Sequence, residues 1–411
     1  VKSSRILIEH QCPQCGAPAT LEETDHLFAC QFCRVKSYLL SKDFFRYTLP
    51  SAAPENKDLI FVPYWRFKGL LFSCVEGGIR HRIVDVSHQA LNSKLFPYSL
   101  GLRSQVLKLR FVTPESEGRF LHPDIAFEKM LKIILARFSE GLSEPVFHQE
   151  FIGETLSQIH SPFYVDTRLY DAILNRPVST ELPKDFNVSG FPGGKPDWRI
   201  HFAPALCPDC GWDLAAERDS LVLICRNCDS AWYPGKSKFT KLQFGYIPAR
   251  NGKLTYLPFY RIKAEVTGMT LESYADLARV ANLPRVIREP WKDRRFYFWS
   301  PAFKVRPGDF LRFAGNVTLQ QPREMVITEL PDAEMYPVTL PIMEAVESQK
   351  LNLAGFMKPR KLLFPRLPEI EIEPRSFLLV YIPFYQNGNE LSQPAYRLRI
   401  DKCTLDFARH L

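Results

Sequence analysis

Cys12-Pro13-Gln14-Cys15 … Cys30-Gln31-Phe32-Cys33 is the stretch from which the rest of the chain is read, and the chain contains its pattern twice. Cys207-Pro208-Asp209-Cys210 … Cys225-Arg226-Asn227-Cys228 repeats it 195 positions later, and in both copies fourteen residues separate the two CxxC pairs. A CxxC turn lets two sulfurs converge on one ion while the intervening amides point at them. Two such turns brought together by a hairpin complete a tetrahedral shell of four sulfurs. The spacing predicts one metal ion on Cys12, Cys15, Cys30 and Cys33 and a second on Cys207, Cys210, Cys225 and Cys228. Gly16 and Gly211 directly follow the first pair of each copy, where a tight knuckle calls for positive φ.

No His or carboxylate recurs at matching spacing, so each site reads as closed and structural rather than catalytic with an open position. The paired knuckles resemble zinc ribbons as a class, over about 22 residues of each copy. That resemblance implies Zn2+ as cofactor, two structural ions per chain, and it carries no specific function. Two other readings stay open. The CPxCG form of each first knuckle resembles a rubredoxin knuckle and admits iron, although the second knuckles lack the Pro and Gly. Disulfides are the third, less suited to paired CxxC turns in a chain of 411 residues.

The repetition extends beyond the cysteines. Leu59-Ile60-Phe61-Val62-Pro63-Tyr64-Trp65-Arg66-Phe67-Lys68 lines up with Leu254-Thr255-Tyr256-Leu257-Pro258-Phe259-Tyr260-Arg261-Ile262-Lys263 at the same offset. Further on, Tyr98–Arg103 resembles Trp299–Lys304, and Ser161-Pro162-Phe163-Tyr164 echoes Ile382-Pro383-Phe384-Tyr385. Both long runs alternate with period two, as strands do, and the prolines inside them suggest strand starts or sheet edges. Phe127, Met130, Leu131, Ile134, Leu135 and Phe138 fall on one helical face, between Pro123 and Gly141. A counterpart is expected around Ile342–Lys350. A shorter helix, Glu272–Ala281, has no partner in the first half and points to an insertion. Arg366–Pro374 reads as an acidic strand with Glu369, Glu371 and Glu373 on one face.

The expected fold class is α+β: a tandem pseudo-duplicated protein, each half a four-cysteine zinc ribbon plus a β-rich body with one main amphipathic helix. The expected boundaries are 1–45 for the first ribbon, 46–175 for its body, 176–198 for a linker rich in Pro and Gly, 199–240 for the second ribbon and 241–411 for its body.

Composition is globular, with 45% hydrophobic and 24% charged residues, and no run approaches the length of a membrane span. No N-terminal segment resembles a signal peptide, and the chain begins at Val1 rather than Met, which leaves room for an upstream segment. Eight of ten cysteines in metal knuckles suit a reducing cytoplasm. The two others, Cys74 and Cys403, are expected to be buried, inert thiols. The formal charge of +8 counts thiols as neutral. Eight thiolates subtract eight charges and two divalent ions return four, which leaves about +4, a mild excess that does not by itself point to nucleic acid.

The nine histidines form no catalytic pattern, and HExxH, GxSxG and Gly-rich phosphate or dinucleotide loops are absent. The expectation is a non-enzymatic zinc-binding adaptor or assembly subunit of a larger cytoplasmic complex, with protein partners bound through ribbon tips and β surfaces. The alternative is a nucleic-acid-binding protein. Tyr64, Arg66 and Lys68, with Phe259, Arg261 and Lys263, would stack bases and follow phosphates in duplicate, unless the cations merely solvate the outer face of a half-buried sheet. An enzyme or an iron electron-transfer protein is the remaining alternative.

Overall fold

The computed structural model describes residues 6–41, 43–178, 182, 187–235, 238–249 and 252–409. The chain is mixed α/β and strand-rich, with seven α-helices among the described residues. No helix is long and apolar enough to cross a membrane. Part of the expected linker, residues 179–181 and 183–186, lies outside the described residues.

The described residues gather into two compact units. One draws on 1–68, 84–138 and 155–205, and the other on 69–83, 139–154 and 206–411. These are not the bodies expected at 46–175 and 241–411, because two segments of the first half cluster with the second unit. The reason is apolar packing. Leu70, Phe72, Cys74 and Ile152 are buried in the same core as Leu257, Phe259, Phe313 and Ile382.

In the first unit, Phe45–Thr48 runs parallel to the end of the long strand Val146–Val165, and Ile60–Val75 is the other neighbour of that strand. Tyr47, Val62, Tyr64, Ile159 and Phe163 on these strands are fully buried in one core. In the second unit, Phe244–Tyr246 runs parallel to Glu371–Asn387, which pairs on its other side with Leu254–Thr267 in antiparallel register. The helix expected from the first apolar stripe spans Phe127–Glu140, and its expected counterpart spans Ile342–Phe356. The short helix appears as Tyr274–Val280, started by a capping box between Ser273 and Asp276. The acidic stretch differs from expectation: residues 364–369 form a 3-10 helix, and the strand begins only at Glu371.

Several backbone bonds recur between the two units. Ile60 and Phe61 pair in parallel with Arg119 and Phe120, as Thr255 and Tyr256 do with Glu334 and Met335. The Ala90 amide donates to the Pro63 carbonyl at 2.9 Å, and the Ala302 amide to Pro258 at 3.0 Å. The amides of Asp124 and Ile125 donate to the Ala90 carbonyl, and those of Thr339 and Leu340 to Ala302. Even a side chain follows: Trp65 Nε1 donates to the Ile125 carbonyl at 2.7 Å and the Tyr260 hydroxyl to Leu340 at 3.1 Å. By this pairing Ser87-His88-Gln89-Ala90 stands where Trp299-Ser300-Pro301-Ala302 does. The resemblance of Tyr98–Arg103 to Trp299–Lys304 is therefore not a structural match.

Neither Pro63 nor Pro258 starts a strand or marks a sheet edge. Pro258 sits where the neighbour on one side changes from Phe298–Pro301 to Glu334–Met335, so no ladder bond needs its missing N–H there. Pro63 sits at the matching change, between the end of Gly78–Gln89 and Arg119–Leu121.

Candidate metal centres

The knuckles are built from the backbone outward. Cys12 N–H donates to the Ala17 carbonyl at 2.8 Å and Gly16 N–H to Cys12 at 2.9 Å. Cys207 N–H donates to Trp212 at 2.7 Å and Gly211 N–H to Cys207 at 2.8 Å. These bonds close the turn only if the glycine takes positive φ, and Gly16 and Gly211 lie at +72° and +75°. Arg34 and Asp229, which differ chemically, share a left-handed backbone at 61° and 45° after the second pair.

The four thiols of each group stand within 4.8 Å of one another. In the first, Cys12 Sγ lies 3.7 Å from Cys33 Sγ and Cys15 Sγ 3.6 Å from Cys30 Sγ. In the second, Cys207 to Cys228 is 3.6 Å and Cys210 to Cys225 is 3.5 Å. Four sulfurs about 2.3 Å from one ion at tetrahedral angles stand about 3.8 Å apart, whereas a disulfide would bring a pair to about 2.05 Å. The donor set fits a metal ion in both places and pairs no cysteine covalently. The amides of Cys33 and Phe32 point at Cys30 and pull its thiol down to about 6. Burial opposes the same shift at Cys207, yet the amides of Cys210 and Asp209 and the Ser230 hydroxyl carry it to about 6. In each group a thiol is thus held toward thiolate, the form that binds metal. At Cys33 and Cys228 the Val35 amide and the Ser230 hydroxyl are outweighed by burial and the neighbouring sulfurs, which push those two thiols up to about 12, so metal binding must displace their protons.

The two centres are dressed differently. Trp232 Nε1 donates to Ser230 Oγ at 2.9 Å, which leaves the serine O–H for Cys228 Sγ at 3.1 Å. The first centre has Val35 at the position of Ser230. His10 lies close in sequence but not in the shell; its ring stacks on Phe202 at 4.8 Å. His201–Pro204, expected within the second ribbon, instead pairs with Ser37–Leu40 and extends the sheet of the first. Each centre exposes one large aromatic, Phe32 at 70% and Trp212 at 62%.

The basic-aromatic residues are placed otherwise than a nucleic-acid surface requires. Tyr64 and Phe259 are fully buried, Phe259 against Phe303 at 5.7 Å. Arg66 is 2% exposed and bridges Glu23 and Asp85. Arg261 lies partly buried over the Tyr297 ring at 5.0 Å, and Lys68 and Lys263 are partly buried. The alternation that suggested a solvated face holds no such face here, because both sides of Ile60–Val75 are covered. Cys74 is buried, which pushes its thiol up to about 12, while Cys403 is exposed at the start of the helix Lys402–Ala408 and is not the buried thiol expected. No protein-family model matches this chain, and no curated protein or solved structure matches it either.

Proposed function

We propose that the protein is a non-enzymatic zinc-binding adaptor or assembly subunit of a larger cytoplasmic protein complex, built as a tandem duplication whose two zinc ribbons present unequal surfaces. The observation that carries this reading is the pairing of a four-thiol shell with an exposed aromatic in each copy. Four thiolates leave a zinc ion no position for substrate, so the ion's contribution is to hold the knuckle rigid. A rigid knuckle carrying an exposed Phe32 or Trp212 offers a partner a large apolar contact at little conformational cost. The recurring backbone bonds support the duplication. Burial of Tyr64, Arg66 and Phe259 weighs against the nucleic-acid alternative.

The test is native purification at moderate salt, with metal analysis and mass spectrometry on one fraction, for wild type, Phe32→Ser and Trp212→Ser. The expected result is two zinc per chain throughout and a stoichiometric protein partner that at least one variant loses. A monodisperse monomer without a protein partner would sink the assembly reading. Co-purifying nucleic acid would favour the alternative, and iron in place of zinc would turn the reading to electron transfer.

A further inference from the structure

The first unit contains a cavity of about 390 Å³ between Arg66, the strand segment 85–88, the segment 98–105 and the last turns of the helix Phe127–Glu140. The second unit fills the matching place. There the helix Pro307–Gln320 packs on both Phe298–Pro301 and Ile342–Phe356. Its Thr318 Oγ1 accepts from the Trp299 amide at 2.9 Å and from Asn352 Nδ2 at 3.0 Å. By the recurring backbone bonds, Ser87 and Arg137 hold the positions of Trp299 and Asn352, and both line the cavity. The first unit has only the short helix Arg103–Val106 in that stretch of chain.

The polar groups in the cavity have fixed roles. His88 Nδ1 lies 2.6 Å from the Gln89 carbonyl and must donate to it, so Nε2 accepts from the Tyr98 hydroxyl. The Tyr98 oxygen in turn accepts from Arg137, whose guanidinium also lies 4.8 Å from that ring. Ser87 Oγ accepts from the Leu100 amide and Ser99 Oγ from the Gly101 amide, and the two hydroxyls lie 3.1 Å apart. One of those O–H groups bonds to the other oxygen, and one is left to donate into the cavity. Asp85 also lines the cavity, and its carboxylate is held by Arg66 and by Gln105 Nε2 at 2.9 Å. Arg66 is committed to it and to Glu23, whereas Arg137 has no carboxylate partner among the described residues. Val86, Ile134 and Phe138 supply the apolar wall.

We infer that this cavity binds a small organic carboxylate. The anion would sit on Arg137 and the serine hydroxyl, and the carbon body against Ile134 and Phe138. One uncommitted guanidinium suits a single negative charge, and a phosphate dianion would need a second. The volume is at the lower end of small-molecule sites.

The test is calorimetric titration of the metal-loaded full chain with sodium benzoate, benzyl alcohol and inorganic phosphate. Benzoate is expected to bind one per chain at about millimolar strength, and benzyl alcohol and phosphate at least about tenfold more weakly. Arg137→Gln should remove the preference for benzoate, Arg137→Lys should keep most of it, and Arg199→Gln, which pairs with Glu115 and does not line the cavity, should change nothing. Thermal melts confirm that each variant folds. Absence of benzoate binding at several times that concentration would overturn the inference. So would equal binding of benzoate and benzyl alcohol, or a loss shared by Arg199→Gln.

Discussion

Arg66 and Arg261 hold matching places in two strands and meet different partners. Arg66 is buried between two carboxylates, and Arg261 lies over a tyrosine ring. Removing the first leaves the buried Glu23 carboxylate without its cation, so Arg66→Ala should cost about 3–5 kcal/mol in urea unfolding. Arg261→Ala, which loses a half-exposed ring contact, should cost about 1 kcal/mol. Arg66→Glu would add a third carboxylate and should prevent folding of the first unit. Equal costs for the two alanine variants would remove the distinction. Nothing in the local sequence reveals this burial, because period-two alternation marks faces and cannot say that a second layer covers both. His160 carries a pH prediction. Burial pushes it down to about 3, while its Nδ1 donates to the Tyr47 carbonyl at 3.3 Å. The folded chain refuses a proton that the unfolded chain accepts below about pH 6.5, so this contribution is complete above that pH and is lost as pH falls toward 3. His160→Gln should flatten the acid limb of stability by about 1.4 kcal/mol per pH unit between roughly pH 6 and 4. An unchanged slope would rule out a neutral buried His160.

At the scale of elements, the knuckles are the most legible part of the chain. Their chemistry is written in eight cysteines and two glycines whose spacing is entirely local. The prediction that belongs here is that Cys15→Ser and Cys210→Ser each lose one metal ion per chain and destabilise their own unit more than the other. Metal analysis and hydrogen exchange of the two units provide the check; retention of both ions with unchanged protection would refute the structural role. The helix Phe127–Glu140 is equally legible because its apolar stripe is regular. The helix Pro307–Gln320 escapes the sequence reading, although Pro307 at its first turn and Phe310, Phe313, Ala314 and Val317 at helical spacing announce it. The helix follows Trp299–Lys304, the stretch aligned with Tyr98–Arg103, and after Tyr98 the first unit has only the short helix Arg103–Val106 to compare with it. The cavity follows from the same difference. It cannot be read from either segment alone, since it consists of what one unit has and the other lacks.

At the scale of the molecule, the partition of the chain is the least legible feature. The repeated sequence pattern suggests two successive bodies, whereas residues 69–83 and 139–154 join the unit made mostly of 206–411. Long strands allow this, because Ile60–Val75 and Val146–Val165 each supply residues to both units. A fragment spanning 206–411 should therefore be expressed as an aggregating or partly unfolded product and be rescued by co-expression of the missing segments. A soluble fragment with a sharp melt would show that those segments are dispensable. The discontinuity also has a consequence in time. Leu70, Phe72, Cys74 and Ile152 leave the ribosome well before Ile382 and Leu405, which share their core. At typical synthesis rates these apolar side chains wait roughly 10–70 s for their neighbours. During that interval the nascent chain displays sticky strand segments with no native place to go, so its yield in the cell should depend on chaperones that hold unfinished chains.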